Sequence, residues 1–193
     1  EELEASPQAV ALLTDNQKLG LKYREDLKHR IPRAEIDRWN KYFNKIAPGL
    51  VTGSYRRNKE SSGDVDYLIT EGHLETFIEE LKTSRKIEIV GSFGTGTSQW
   101  QGIMRLNKKD AVARHVDIFC YPVDTMPYAL LHSTGSGEFN IKCRKIANER
   151  GMSLSQYGLT PKPTDLKLVG SVIEKERMIL EYLGINWVDP RDR

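Results

Sequence analysis

Between Asp15 and Ile46 the apolar side chains recur every three or four residues. Beyond Pro48-Gly49 they alternate or gather in short blocks, so the chain changes from a helical to a strand pattern. The first stretch predicts two helices. One runs from Asp15 to His29, capped by Thr14 or Asp15, with Pro32 closing it. The other has Pro32 in its first turn, carries Ile36, Trp39, Phe43 and Ile46 on one core-facing stripe, and stops at Pro48-Gly49. Strands are predicted over Leu50 to Tyr55, Val65 to Thr70, Lys86 to Phe93, Trp100 to Leu106 and Arg114 to Tyr121. A helix from His73 to Lys82 separates the second strand from the third. After Pro122 the strand pattern largely ends, and helices are expected over Pro127 to Ser133, Glu138 to Glu149 and Glu174 to Leu183, with Gly151 ending the middle one.

The fold class that follows is α+β, a sheet lobe followed by a small, mostly helical subdomain. We place the N-terminal helices in residues 1–48, the sheet lobe in 49–124 and the helical subdomain in 125–193; no Gly/Ser-rich linker, internal repeat or low-complexity tract marks a border. A chain of 193 residues can bury a sizeable core, as one domain or as two lobes sharing a cleft. With 38% apolar and 29% charged residues it is neither a disordered chain nor one with a run long enough to span a membrane. The acidic start EELEAS has no signal-peptide pattern. Cys120 and Cys143 lie far apart without metal-ligand spacing, which predicts two reduced thiols in an intracellular protein, of the cytoplasm or nucleus. The net charge of +2 says little about partners, but Lys and Arg concentrate in residues 22–45 and 142–150. That concentration fits a solvated helix face as well as a nucleic-acid footprint.

The stretch GSYRRNKESSGDVDYLIT, from Gly53 to Thr70, holds the first candidate chemistry. Asp64 and Asp66 stand two residues apart and share a face of the strand, where they repel each other unless a cation lies between them. Asp117, in RHVDIFCYP, is a third carboxylate inside an otherwise apolar strand. Three such groups can bridge two Mg²⁺ ions about 3.5 to 4 Å apart, the arrangement that serves in-line phosphoryl transfer. A D-x-D pair alone is equally at home in a surface turn. Upstream, Gly53-Ser54 offers backbone N–H groups and a hydroxyl to a phosphate, Arg57 a bidentate cation, and Gly63 close access to the backbone. Together these features make a nucleotidyltransferase signature.

The same residues resemble the catalytic motif of the family X DNA polymerases. LGLKYREDLKHRIPRAEI resembles the segment before that family's catalytic lobe, HVDIFCYP the strand with the third aspartate, TGSGEFN with Arg144 the nucleotide-selection helices, and ILEYLGINWVDPRDR the closing helix and tail. The resemblance runs from about residue 16 to the end. It implies a nucleotidyltransferase-fold palm with a mixed sheet, followed by a thumb-like subdomain. Asp64, Asp66 and Asp117 would ligate two Mg²⁺ ions, with Mn²⁺ able to substitute, and Asp117 would help activate the primer 3′-hydroxyl. Gly53, Ser54, Arg57 and Gly63 would hold the phosphates, His132 and Ser133 would stand near the sugar 2′ position, and Gly135 would also belong to the nucleotide site. Asn140 would read the minor-groove edge of the base, and Arg144 would touch the templating strand. The implied partners are gapped or primer-template DNA and deoxynucleoside triphosphates, with no membrane and a monomeric chain.

Two positions depart from the family's pattern. His132-Ser133 stands where an aromatic pair often crowds the sugar 2′ position, and His115 stands where an arginine is frequent, two residues before the third aspartate. Residues 1 to 15 are too few for the lyase domain and helix-hairpin-helix elements of repair-type members, so the chain as given is expected to lack lyase activity and to bind DNA weakly. The main expectation is a template-directed DNA polymerase filling short gaps. A template-independent terminal transferase, a small-molecule nucleotidyltransferase and a non-catalytic DNA end-binding module are the alternatives.

Overall fold

A computed structural model of the chain describes residues 10–70 and 72–193; most of the acidic N-terminal stretch, including EELEAS, lies outside them. The elements follow in chain order: α1 (Asp15–Lys22), α2 (Arg24–Lys28), β1 (Ile31–Pro32), α3 (Arg33–Ile46), β2 (Gly49–Val51), α4 (Gly53–Arg56), β3 (Ser61–Ser62) and β4 (Val65–Thr70). Then come α5 (Leu74–Thr83), β5 (Ile87–Thr95), β6 (Gln99–Leu106), β7 (Arg114–Tyr121), α6 (Met126–Thr134), α7 (Gly137–Glu149), β8 (Ser153–Ser155), β9 (Gly158–Thr160) and α8 (Val172–Tyr182). The fold is α+β, as the hydrophobic pattern predicts.

The main sheet has the order β2-β4-β7-β6-β5, and it is mixed: β4 and β7 run parallel while the other neighbours are antiparallel. Strand alternation divides its side chains between two faces. Val65, Tyr67 and Ile69 of β4 and Val116, Ile118 and Cys120 of β7 join the core with Ile36, Trp39 and Phe43 of α3 and Phe77 and Leu81 of α5. The Phe43 ring lies 5.0 Å from Tyr67 and 5.4 Å from Phe77, centroid to centroid. The other face of β4 carries Asp66 and Leu68. Leu68 packs with Tyr121 and with Met126, Ala129 and Leu130 of α6, so α6 covers one end of this face and leaves the aspartate end open. A second core, around Phe139, Cys143, Ile179 and Leu180, holds α7 and α8 together. Both cysteines are buried, and they are not joined in a disulfide.

Three local differences from the sequence expectation have physical causes. The first helix breaks at Tyr23, although Thr14 forms the expected cap, reciprocated by Gln17. The strand expected over Leu50 to Tyr55 ends early: the Thr52 N–H still donates to the Asp66 carbonyl at 2.9 Å, and then Gly53, at φ +57°, turns the chain into the one-turn helix α4. In the C-terminal lobe a hairpin, β8 with β9, appears where no strand is predicted. Leu154 and Leu159 are register partners there and both are buried.

The start of β7 is fixed from the N-terminal side. Arg114, almost wholly buried, makes a bidentate ion pair with Glu35 of α3 at 2.9 Å for each contact and also donates to the His29 carbonyl. The Ala113 N–H donates to Asp26 of α2 at 2.9 Å. These contacts set where His115 and Asp117 fall along the strand.

Candidate active site

The parallel pairing of β4 with β7 sets Asp66 directly opposite Asp117. Asp64, two residues before Asp66, belongs to the same face. Among the described residues, Asp64, His115 and Asp117 form a group of potential ligand atoms that lie within 4.8 Å of one another. His115 Nε2 stands 3.3 Å from Asp117 Oδ1 without making a hydrogen bond to it, and that oxygen is buried with no donor among the described residues aimed at it. Asp66 is turned toward α4, where a Cβ on Gly53 would collide with its carboxylate. The glycine is therefore required both by its backbone angle and by the acid beneath it.

The electrostatics follow from this crowding. Burial first, then Asp64 and Asp117, push the Asp66 carboxyl up to about 7, against a smaller lowering by Arg57. Asp117 is also raised, chiefly by burial; His115 and a Gln101 hydrogen bond oppose that shift, and Asp64 adds to it. Three mutually repelling carboxylates, one with an orphaned buried oxygen, are an oxygen-rich donor set that fits a divalent cation.

Beside this floor lies a cleft of about 840 Å³. It is lined by Gly53, Ser54, Arg57, Gly63, Asp64, Asp66, His132, Ser133, Gly135 and Asn140, so every residue predicted for the site except Asp117 and Arg144 opens onto it. Asp117 sits beside Asp66 in the floor. Arg144 lies one turn beyond Asn140 on α7, outside the cleft, with its Nη2 3.0 Å from His132 Nδ1. Burial, and then the Arg144 charge, hold the His132 imidazole below its usual pKa, so its Nδ1 serves as the acceptor. The Asn140 side chain donates to the His132 carbonyl at 2.7 Å and ties α7 to the end of α6. Ser54 Oγ donates to Ser62 Oγ at 2.7 Å.

Arg30, Lys59, Glu60, Ser61 and Gly137 also line the cleft, and the sequence reading missed them. Arg30 is brought in by the short β1–β3 ladder and donates to Ser61 Oγ and to the Ser61 carbonyl, at 3.2 and 2.6 Å. Its one sequence signal was charge, in a segment already rich in charge.

Two consecutive arginines join the lobes. Arg57 donates to the Thr134 carbonyl at 2.6 Å, at the end of α6. Arg56 reaches Thr134 Oγ1 and makes a bidentate pair with Glu176 of α8, at 2.9 and 2.7 Å. Glu176 is fully buried and also accepts from Arg193 at 2.6 Å. The Arg193 guanidinium lies over the rings of Phe139 and Trp187, so one buried anion holds two cations from different parts of the chain.

Residues 30–123 match the family described as DNA polymerase beta palm, and residues 129–193 the one described as DNA polymerase beta thumb. DNA polymerase lambda of Arabidopsis thaliana is 28% identical over 94% of this chain, and DNA polymerase lambda of Rattus norvegicus is 32% identical over 95%. The chain spans 40% and 36% of the lengths of those two relatives. Among solved structures, polymerase beta of Leishmania infantum in a ternary P/T complex is 27% identical with a TM-score of 0.83, covering all of this chain and 87% of that one. The same polymerase in a ternary gap complex is 26% identical, also at 0.83, with 79% of its chain covered.

Two outcomes follow from the charges. The folded protein keeps a proton on Asp66 between about pH 4 and 7 that the unfolded chain has released, so this contribution to stability is present below pH 4 and is lost as pH rises through 7. In chelator at pH 8, Asp66→Asn is expected to melt at a higher temperature than the wild type, with the difference shrinking toward pH 5. Equal melting temperatures at pH 8 would mean that the carboxylate costs nothing. Glu176→Gln leaves Arg56 and Arg193 without their shared anion and is expected to cost about 3 to 5 kcal/mol in urea unfolding.

Proposed function

The chain belongs to family X of the DNA polymerases, and on that premise we propose that it is a DNA-directed DNA polymerase that adds nucleotides to a primer 3′-hydroxyl in short-gap repair synthesis. The observation that carries the reading is the convergence of Asp64, Asp66 and Asp117 under a cleft whose far wall, from His132 to Asn140, comes from the second lobe.

Each side chain then has a task. Asp64, Asp66 and Asp117 hold two Mg²⁺ ions, or Mn²⁺ in their place. When bound, these ions lower the pKa of the attacking hydroxyl and neutralise the triphosphate. Asp117, with one oxygen that no side chain satisfies, assists removal of the primer hydroxyl proton. Ser54, Arg57 and the Gly63 backbone hold the β- and γ-phosphates, with Arg30 adding a second cation at the rim. Asn140 reads the minor-groove edge of the incoming base, and Arg144 is released from His132 to reach the templating strand. Ser133 and Gly135 flank the sugar, and the short Ser133 side chain leaves the 2′ position less crowded than an aromatic would. The partners are gapped or primer-template DNA and deoxynucleoside triphosphates, and the chain acts as a monomer. Two buried cysteines that form no disulfide suit an intracellular setting, nucleus or cytoplasm.

Incubation with a labelled primer on a one-nucleotide-gapped duplex, Mg²⁺ and each nucleotide separately tests the reading. Extension by the complementary nucleotide alone, lost in Asp117→Ala, is expected. Extension by any nucleotide would point instead to a terminal transferase, and no extension at low salt to a DNA end-binding module. Ser133→Phe is expected to lower ribonucleotide incorporation relative to the deoxynucleotide, and unchanged discrimination would remove Ser133 from the sugar-selecting role.

A further inference from the structure

His115 and Asp117 are two residues apart on β7 and project from the same face, toward Asp64. The imidazole packs edge-on against Phe93, ring centroids 5.7 Å apart, which holds it over the acidic floor while its side chain remains 35% exposed. Asp117 is only 8% exposed, and its partnerless Oδ1 is the atom that faces His115 Nε2 at 3.3 Å. Ligands held 2.0 to 2.2 Å from one ion are about 3 Å apart when adjacent and about 4.2 Å when opposed. The spacing within the Asp64, His115 and Asp117 group, from 3.3 Å up to 4.8 Å, is close to that pattern.

We propose that His115 is itself a metal ligand, and that Asp64, Asp117 and the His115 imidazole form a mixed nitrogen and oxygen site selective for a first-row transition dication over Mg²⁺. An arginine at this position carries a permanent charge and cannot ligate; an imidazole nitrogen can. Mg²⁺ gains little from exchanging water oxygen for nitrogen, whereas Co²⁺, Fe²⁺ and Zn²⁺ gain substantially, because affinity for nitrogen donors rises along the first transition row. The carboxylates alone would supply a Mg²⁺ site, and His115 tilts its selectivity. The inference rests on the proposed polymerase function only for the presence of a cation at the aspartates.

The test uses the whole chain without nucleotide or DNA. Co²⁺ and Mg²⁺ are titrated separately by calorimetry, and proton NMR of the Co²⁺ form is searched for hyperfine-shifted imidazole resonances. The expected result is a shifted imidazole set present in the wild type and in His73→Gln but absent in His115→Gln. In the His115→Gln variant Co²⁺ should bind roughly ten- to a hundredfold more weakly and Mg²⁺ less than about threefold more weakly. His115→Asn, an uncharged polar replacement at the same strand position, should show the same losses, so a folding defect in one variant does not hide the answer. Co²⁺ binding without a shifted imidazole, unchanged by His115→Gln, would overturn the ligand role and leave the polymerase reading standing. Failure of the wild type to bind either ion would overturn both.

Discussion

In β4 and β7, which lie side by side and run in the same direction, Asp66 faces Asp117 because Val65 faces Val116 and Tyr67 faces Ile118. The apolar partners choose the register, since each must reach the core under α3 and α5, and the acids follow from the alternation between faces. A slip of one residue would bury the carboxylates among aromatic rings and turn Tyr67 and Ile118 toward the cleft. The hydrophobic core is thus what holds mutually repelling charges together. The bidentate Arg114–Glu35 pair sets the same register from the other end of β7.

The second constraint is the buried anion of Glu176. It draws Arg56 toward α8 while the next residue, Arg57, is drawn to the end of α6, so the short helix α4 is anchored to the opposite lobe at two adjacent points. On the same helix, Gly53 and Ser54 face the acidic floor. The Gly53-Ser54 turn and the His132 to Asn140 wall of the cleft are therefore parts of one connected body, in which removal of a single charge leaves two others stranded.

Where one physical signal dominated, the sequence was read well. Val65 to Thr70 and Arg114 to Tyr121 are apolar blocks with polar borders, and their bounds match β4 and β7. The acids within them stood out because an aspartate among such neighbours needs a reason. Where structure depends on distant partners, the reading fell short. The helical turn after Thr52 begins where the last ladder bond, to the Asp66 carbonyl, gives way to the positive φ of Gly53, and the β8–β9 hairpin rests on one buried leucine per strand, too little periodicity to signal a strand. Arg30 and Lys59 reach the cleft through a two-residue ladder and a loop, which no local pattern announces. His115 departs in sequence from the family it resembles, and its distance from Asp117 is what gives that departure the task proposed above.

The two border strands of the sheet bear on how the molecule avoids its own kind. β5 lies at one border of the sheet, and its pairing with β6 shifts register twice, between Ile89 and Gly91 and again between Ser92 and Gly94. At the opposite border β2 is three residues long. An incoming strand from another chain would find no continuous row of free donors and acceptors at either place. The sheet is closed to growth by irregularity at one border and by brevity at the other, a safeguard against aggregation set apart from the strands that carry the aspartates.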